Sequence, residues 1–156
     1  MYCKQTQSTN NHFRFYGCYA FTLLTMVQML ASKTLTLTEC HELINDAIRL
    51  GIILDNDIPT TKNGWYRCFV ANPLTFTKMA IDKLGGKGTL SEILRGAPTL
   101  PQPKDTRFTV IEWATKTGSH FGLGTFTNGK LETIYDPWES LPRTGVKTVR
   151  FWRYTE

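Results

Sequence analysis

No run of lysines and arginines occurs in this chain, although it carries 18 basic against 13 acidic residues, a formal charge of +5. Scattered positive charge favours anionic partners without choosing among them. Without a basic stripe, no nucleic-acid partner is expected. Long apolar runs are missing too. The richest stretch, Tyr19 to Ala31, is interrupted by Thr22, Thr25 and Gln28 and is too short to span a bilayer. No integral membrane segment is therefore expected. The opening MYCKQTQSTNNH lacks the basic start and apolar continuation of a secretory signal. None of the four cysteines, Cys3, Cys18, Cys40 and Cys68, forms a CxxC pair. With no secretory context, the expectation is a cytoplasmic protein with reduced thiols. Metal chemistry is poorly served as well. Cys40 and His41 are adjacent on one helix and point in different directions, and zinc would need two further ligands at a suitable spacing. Neither a metal nor a cofactor is expected. Gly85-Gly86-Lys87-Gly88 lacks the Walker spacing and a preceding strand, and reads as a helix stop.

The 156 residues suit a single domain, residues 1–156, with hydrophobic residues at 41% and charged residues at 20%, enough of each for a packed core and a solvated surface. The first twelve residues read as a polar tail, followed by a short extended piece around Phe13, Phe15 and Tyr16. Gly17 breaks it. In CYAFTLLTMVQMLAS, apolar residues recur at three- and four-residue steps around most of a helix, so this helix should be buried. A second helix is predicted from about Glu39 to Leu50, with Thr38 as N-cap. A loop from Asp55 to Trp65 follows. A third helix starts at Asn72-Pro73 and ends near Leu84. Ser91 to Leu94 reads as a short helical turn, and Gly96 to Asp105 as a proline-rich connector.

The pattern then turns to β. RFTVIEWAT has apolar residues on both faces, as a central strand does. HFGLGTF and KLETIY are two more strands, joined at Asn128-Gly129, a strong hairpin signal. VKTVRFWRY is the fourth. Helices first and an antiparallel sheet after them predict the α+β class.

Three residues carry candidate chemistry. Cys18 opens the most apolar helix, where orphan N–H groups and the macrodipole can stabilise a thiolate and hold an oxyanion; its plain alternative is a small buried hydrophobe. His120 enters a strand. Asp136 follows sixteen residues later, with Asn128-Gly129 midway. Folding the hairpin there brings His120 and Asp136 to the same end of adjacent strands. A carboxylate on one imidazole nitrogen leaves the other to face a thiol. In its plain reading, Asp136-Pro137 is only a turn.

Taken together, GCYAFTLLTM, SHFGL and YDPW resemble the papain-like cysteine peptidase superfamily, most closely the bacteriocin double-glycine leader peptidases and their stand-alone relatives. The chain also looks like small spirochaete plasmid and phage proteins with an aromatic-Tyr-Gly-Cys-Tyr helix start. The resemblance spans Phe15 to Trp138. It implies a papain-like fold with Cys18 as nucleophile, His120 as base and Asp136 as the residue orienting the histidine. Glycine precedes Cys18 here instead of following it. Where the superfamily carries the glutamine of its oxyanion hole, this chain has His12 with Asn11 beside it, and either could donate there. Trp138 could shield the His–acid pair and line a substrate groove, or pack in the core. Among substrates, peptide bonds of peptidoglycan are favoured, cut by a phage-type endolysin released to the cell wall by a holin. The alternatives are a leader-peptide or protein-processing peptidase, and a catalytically inactive binding module on the same fold. A monomer is favoured.

Overall fold

The computed structural model describes residues 1–56 and 66–156. The expected loop beyond Asn56, and Trp65 with it, lies outside the described residues. The architecture is α+β, with helices in the N-terminal half and an antiparallel sheet in the C-terminal half. Helix α1 spans Asn11–Tyr16, α2 Cys18–Ala31, α3 Leu37–Arg49 and α4 Pro73–Lys83. A two-stranded sheet pairs β1 (Ile53–Leu54) with β2 (Phe69–Val70). The main sheet contains β3 (Thr89–Gly96), β4 (Phe108–Ala114), β5 (Ser119–Thr127), β6 (Lys130–Tyr135) and β7 (Gly145–Thr155), in the order β3-β7-β4-β5-β6. Among the described residues, no helix is long and apolar enough to cross a membrane.

Helix α2 is the hub of the core. Every residue from Ala20 to Gln28 is buried, polar ones included. The polar side chains pay for burial with hydrogen bonds: Thr25 Oγ1 donates to the Phe21 carbonyl, Gln28 Nε2 to the Leu24 carbonyl, and Gln28 Oε1 accepts from the Leu35 N–H. One side of α2 lies against β5 and another against α4, which in turn packs on β3. Strand β4 is central, as expected, and buried from Phe108 to Trp113. The β5–β6 turn has Asn128 and Gly129 both at positive φ (52° and 77°), the left-handed pair that a two-residue hairpin requires.

Four local readings are corrected. The first twelve residues are not a loose tail. Gln5 and Ser8 are buried; Gln5 Nε2 donates to the Arg14 carbonyl (2.9 Å), and Ser8 Oγ bonds His41 Nε2 (2.8 Å). Their polarity serves the fold's own backbone and side chains, not water. The extended piece is helix α1 instead, because Asn10 caps it by accepting from the Phe13 N–H. Helix α3 is capped by Thr36 and not Thr38. Only Thr36 has a glutamate three residues on, and Thr36 with Glu39 forms a reciprocal capping box (3.1 and 3.0 Å). Ser91–Leu94 is no helical turn: it belongs to β3, which pairs with β7 along the sheet edge. Leu90 is fully buried there, so sheet pairing and burial override a weak local helical preference.

Gly17 separates α1 from α2 with no loop between them. A Cβ at this position would stand 2.3 Å from the Phe13 carbonyl oxygen. The residue must be glycine for α1 to end directly against the residue that begins α2, which is Cys18.

Candidate active site

Cys18 is the first residue of α2 and is half-buried. Beside it, β5 runs past the end of its pairing with β6, which reaches only to Leu123. The unpaired backbone at Phe121 is taken up by α2. Thr22 Oγ1 donates to the Phe121 carbonyl (3.2 Å), and the Phe121 N–H lies near enough to the Cys18 sulfur to pull its pKa down. Cys18 and Thr22 lie one helical turn apart, so one face of α2 serves both groups of one strand residue. The N–H groups of Cys18 and Tyr19 also face the sulfur, as expected of a helix N-terminus.

His120 and Asp136 are together. His120 Nε2 and Asp136 Oδ1 are 2.6 Å apart, with the histidine fully buried and the aspartate nearly so. Register explains the meeting. Leu123 pairs with Tyr135, so one further step would set Asp136 opposite Gly122, diagonal to His120 on the same face. A Cβ on Gly122 would approach the Trp113 ring at 2.9 Å. Glycine therefore admits the indole, and Trp113, the direct cross-strand partner of His120, stacks on the imidazole (centroids 5.6 Å, planes 20°).

Asp136 holds more than the histidine. Its Oδ1 also accepts from the Trp138 N–H (2.9 Å), and its Oδ2 from Arg143 Nη1 (2.6 Å). Arg143 is anchored by the carbonyls of Trp138 (2.9 Å) and Leu141 (3.1 Å), and its guanidinium lies 4.4 Å from the Trp113 ring centroid. His120, Asp136, Arg143 and Trp113 thus close a ring of contacts. Burial pushes the Asp136 carboxyl up, but hydrogen bonds from His120, the Trp138 N–H and Arg143 outweigh it and hold the group below its ordinary range. Asp136 is ionised in the folded protein at neutral pH.

His120 Nδ1 is buried and has no hydrogen-bond partner among the described residues, Cys18 included. With Nε2 on a carboxylate, Nδ1 is the nitrogen left for a reacting group. Cys18 lies within electrostatic reach of the pair, since the Asp136 charge contributes to raising its pKa. Burial is the larger cause: it pushes the thiol up to about 11, against the three N–H groups that pull it down. This burial works against the thiolate that the helix N-terminus favours. Desolvation at this covered helix end outweighs its dipole. Cys40 is pushed up by burial to about 12, and Cys68 further still. Cys3 is raised as well, by burial, and its sulfur contacts the Leu35 carbonyl (3.6 Å).

Cys18 opens onto a cleft of about 450 Å³, lined also by Tyr19, Ser119, Phe121 and Arg150. A second cleft of about 500 Å³ is lined by Trp138, Leu141 and Pro142. Phe15, Tyr16 and Ser119 line both, so the two clefts are neighbours, near the residues flanking His120. Trp138 therefore sits in a cleft wall, 5.9 Å from Phe15 ring to ring. It supports Asp136 through its backbone, while the indole covering the histidine belongs to Trp113. Neither residue considered for the oxyanion hole lines the cleft that Cys18 opens onto. His12 Nδ1 is engaged by Asp55 Oδ1 (2.7 Å), and Asn11 is exposed in the first turn of α1. The Phe121 N–H, which no sequence pattern singled out, faces the sulfur instead.

Two further residues escaped the sequence reading. Arg143 gives no local signal. Glu112, a carboxylate in the middle of an apolar strand, was the visible clue to a buried polar cluster. It accepts from Ser119 Oγ (2.6 Å), Thr148 Oγ1 (2.7 Å) and Arg150 Nη2 (3.2 Å). These bonds more than offset its burial and hold its pKa low. Among the described residues, no group of three His, Cys, Asp or Glu could hold a metal ion. No family model matches the chain, and neither a curated protein nor a solved structure shows significant similarity to it.

Proposed function

We propose that the protein is a papain-like cysteine peptidase or amidase in which Cys18 attacks a peptide carbonyl, His120 transfers protons and Asp136 orients the imidazole. The observation that carries this reading is the buried His120–Asp136 bond, which leaves Nδ1 unpaired, with a helix-terminal cysteine within reach of the pair's charge. Because the resting thiol is neutral, His120 acts as a general base and not as half of a preformed ion pair. Nδ1 takes the thiol proton as sulfur bonds to the carbonyl carbon. The C–N bond then breaks, the amine leaves with the proton from Nδ1, and a thioester remains. Nδ1 next deprotonates water, which displaces Cys18 and restores the thiol. The N–H groups of Cys18 and Phe121 are the donors available to the oxyanion. Unliganded catalytic contacts are commonly long and tighten on substrate, which accommodates the absence of a Cys18–His120 hydrogen bond.

Two neighbouring clefts beside Cys18 leave room for a peptide, and the +5 charge suits an anionic polymer. On that basis the substrate is the peptide portion of peptidoglycan, cut by an endolysin of the phage type. The test is release of new amino termini from purified walls, compared between wild type and Cys18→Ala. Release by wild type alone supports the reading. Cleavage of an unfolded protein or leader peptide but of no wall moves the substrate to protein processing. One observation favours the second reading, a non-catalytic binding module: the thiol is pushed up to about 11 and makes no hydrogen bond to His120. That reading gains if neither substrate class is cut and Cys18 is inert to alkylation.

A further inference from the structure

The wall of the cleft immediately after Cys18 has donors without acceptors. Arg150 is nine-tenths buried, lines the cleft and gives Nη2 to Glu112 (3.2 Å); its Nε has no partner among the described residues. The Tyr19 hydroxyl is likewise buried; the Arg150 guanidinium faces its oxygen, and among the described residues no group accepts its proton. The two belong to one cluster. The Arg150 guanidinium carbon lies 5.2 Å from the Tyr19 ring centroid and 4.7 Å from that of Phe121, and the two rings stack on each other at 4.5 Å. Arg95 and Arg67 line the same cleft, and among the described residues no acidic side chain does. The carboxylates behind the wall are committed. Glu112 already accepts from Ser119 and Thr148 as well as Arg150, and Glu92 takes Arg95 through both its oxygens (3.0 and 2.9 Å).

A buried N–H and a buried hydroxyl that find no acceptor each cost stability. A guanidinium whose fork is only partly used is shaped for a planar, two-oxygen anion. What this wall lacks is an acceptor carrying negative charge, and it stands one residue along the chain from the nucleophile. We infer that the cleft is a carboxylate-binding subsite built on Arg150 and Tyr19, which selects peptides carrying a carboxylate close to the bond that Cys18 attacks. The inference deepens the peptidase reading and rests on it for the word substrate, but the subsite itself is a matter of binding. The carboxylate has two possible sources, an acidic side chain or a free chain terminus, and both present the same two oxygens.

Alkylation of Cys18 tests the subsite without any hydrolysis. Iodoacetate and iodoacetamide deliver nearly the same group to sulfur, one with a carboxylate and the other without. The rate ratio of iodoacetate to iodoacetamide is measured at Cys18 and, on the same chains, at Cys3, by mass spectrometry. The ratio at Cys18 should exceed that at Cys3. It should fall roughly three- to tenfold in Tyr19→Phe, which keeps the ring, and in Arg150→Lys, which keeps the charge beside Glu112. A ratio at Cys18 no higher than at Cys3, or one that neither variant lowers, overturns the inference. Protection of Cys18 from iodoacetamide then identifies the source. N-acetylglutamic acid α-amide presents a side-chain carboxylate, N-acetylalanine a terminal one, and N-acetylalaninamide none. One of the two acids should protect better than the amide; equal protection by all three counts against the subsite. A chain that shows the carboxylate preference yet cleaves no peptide keeps the subsite and loses the peptidase reading. A chain that cleaves peptides without regard to carboxylates does the reverse.

Discussion

Asp136→Asn separates the electrostatic role of Asp136 from its shape. The carboxylate accepts from His120 Nε2 and the Trp138 N–H on one oxygen, and from Arg143 Nη1 on the other. An amide of the same size has one oxygen and one NH2. Whichever way it is placed, the NH2 faces a donor, either the imidazole or the guanidinium. Of the three bonds at least one is lost, and those that remain have a neutral acceptor. A hydrogen bond to a charged group is worth about 1.5–3 kcal/mol, so a loss of roughly 2 kcal/mol of stability is expected at pH 7. For a chain of this size that lowers Tm by about 4–8 °C. The pH dependence has a definite sign. The folded pKa of Asp136 is depressed, so its contribution is complete above the ordinary carboxylate value near 4 and disappears as pH falls through the folded value. Thermal melts followed by circular dichroism should therefore differ at pH 7 and converge on acidification below about pH 4. Equal Tm values at pH 7, or a gap that persists undiminished in acid, would refute the role assigned to the carboxylate.

Two further outcomes follow from the same geometry. Gly17→Ala places a methyl group against the Phe13 carbonyl oxygen; it should cost about 1–3 kcal/mol in urea unfolding and reduce activity by displacing Cys18, whereas an unchanged midpoint would mean the α1–α2 junction is slack. Alkylation of Cys18 by iodoacetamide should keep rising with pH through 9 and level off only near 11, because desolvation makes the thiol ionise late; a plateau between pH 6 and 8 would show that the helix end and His120 outweigh desolvation.

The parts of the site readable from sequence are those set by local signals. Asn128-Gly129 can hardly be anything but a tight hairpin, and its place midway between His120 and Asp136 brings those two together whatever packs around them. Gly17 before an apolar run marks the start of α2, and hence the position of Cys18. What escaped depends on long-range register. Trp113 meets His120 only because β4 pairs with β5 in one alignment, and Arg143 reaches Asp136 from an irregular segment whose path no periodicity describes. Strand β3 was missed for the same reason, since its partner β7 lies more than fifty residues away in sequence and supplies the pairing that decides its conformation. The thiol's pKa was misjudged because a helix N-terminus is visible in the sequence, whereas the strand and rings that bury it are not.

Whether Cys18 and His120 act together as nucleophile and base is tested most directly by stopped-flow acylation with a p-nitrophenyl ester near pH 7. Wild type should release a burst of one equivalent of nitrophenolate per chain, with the acyl group found on Cys18 by mass spectrometry. The burst should vanish in Cys18→Ala and slow by roughly 10²-fold or more in His120→Ala, the usual worth of a positioned general base. A burst that survives in Cys18→Ala, or keeps its rate in His120→Ala, would contradict the assignment.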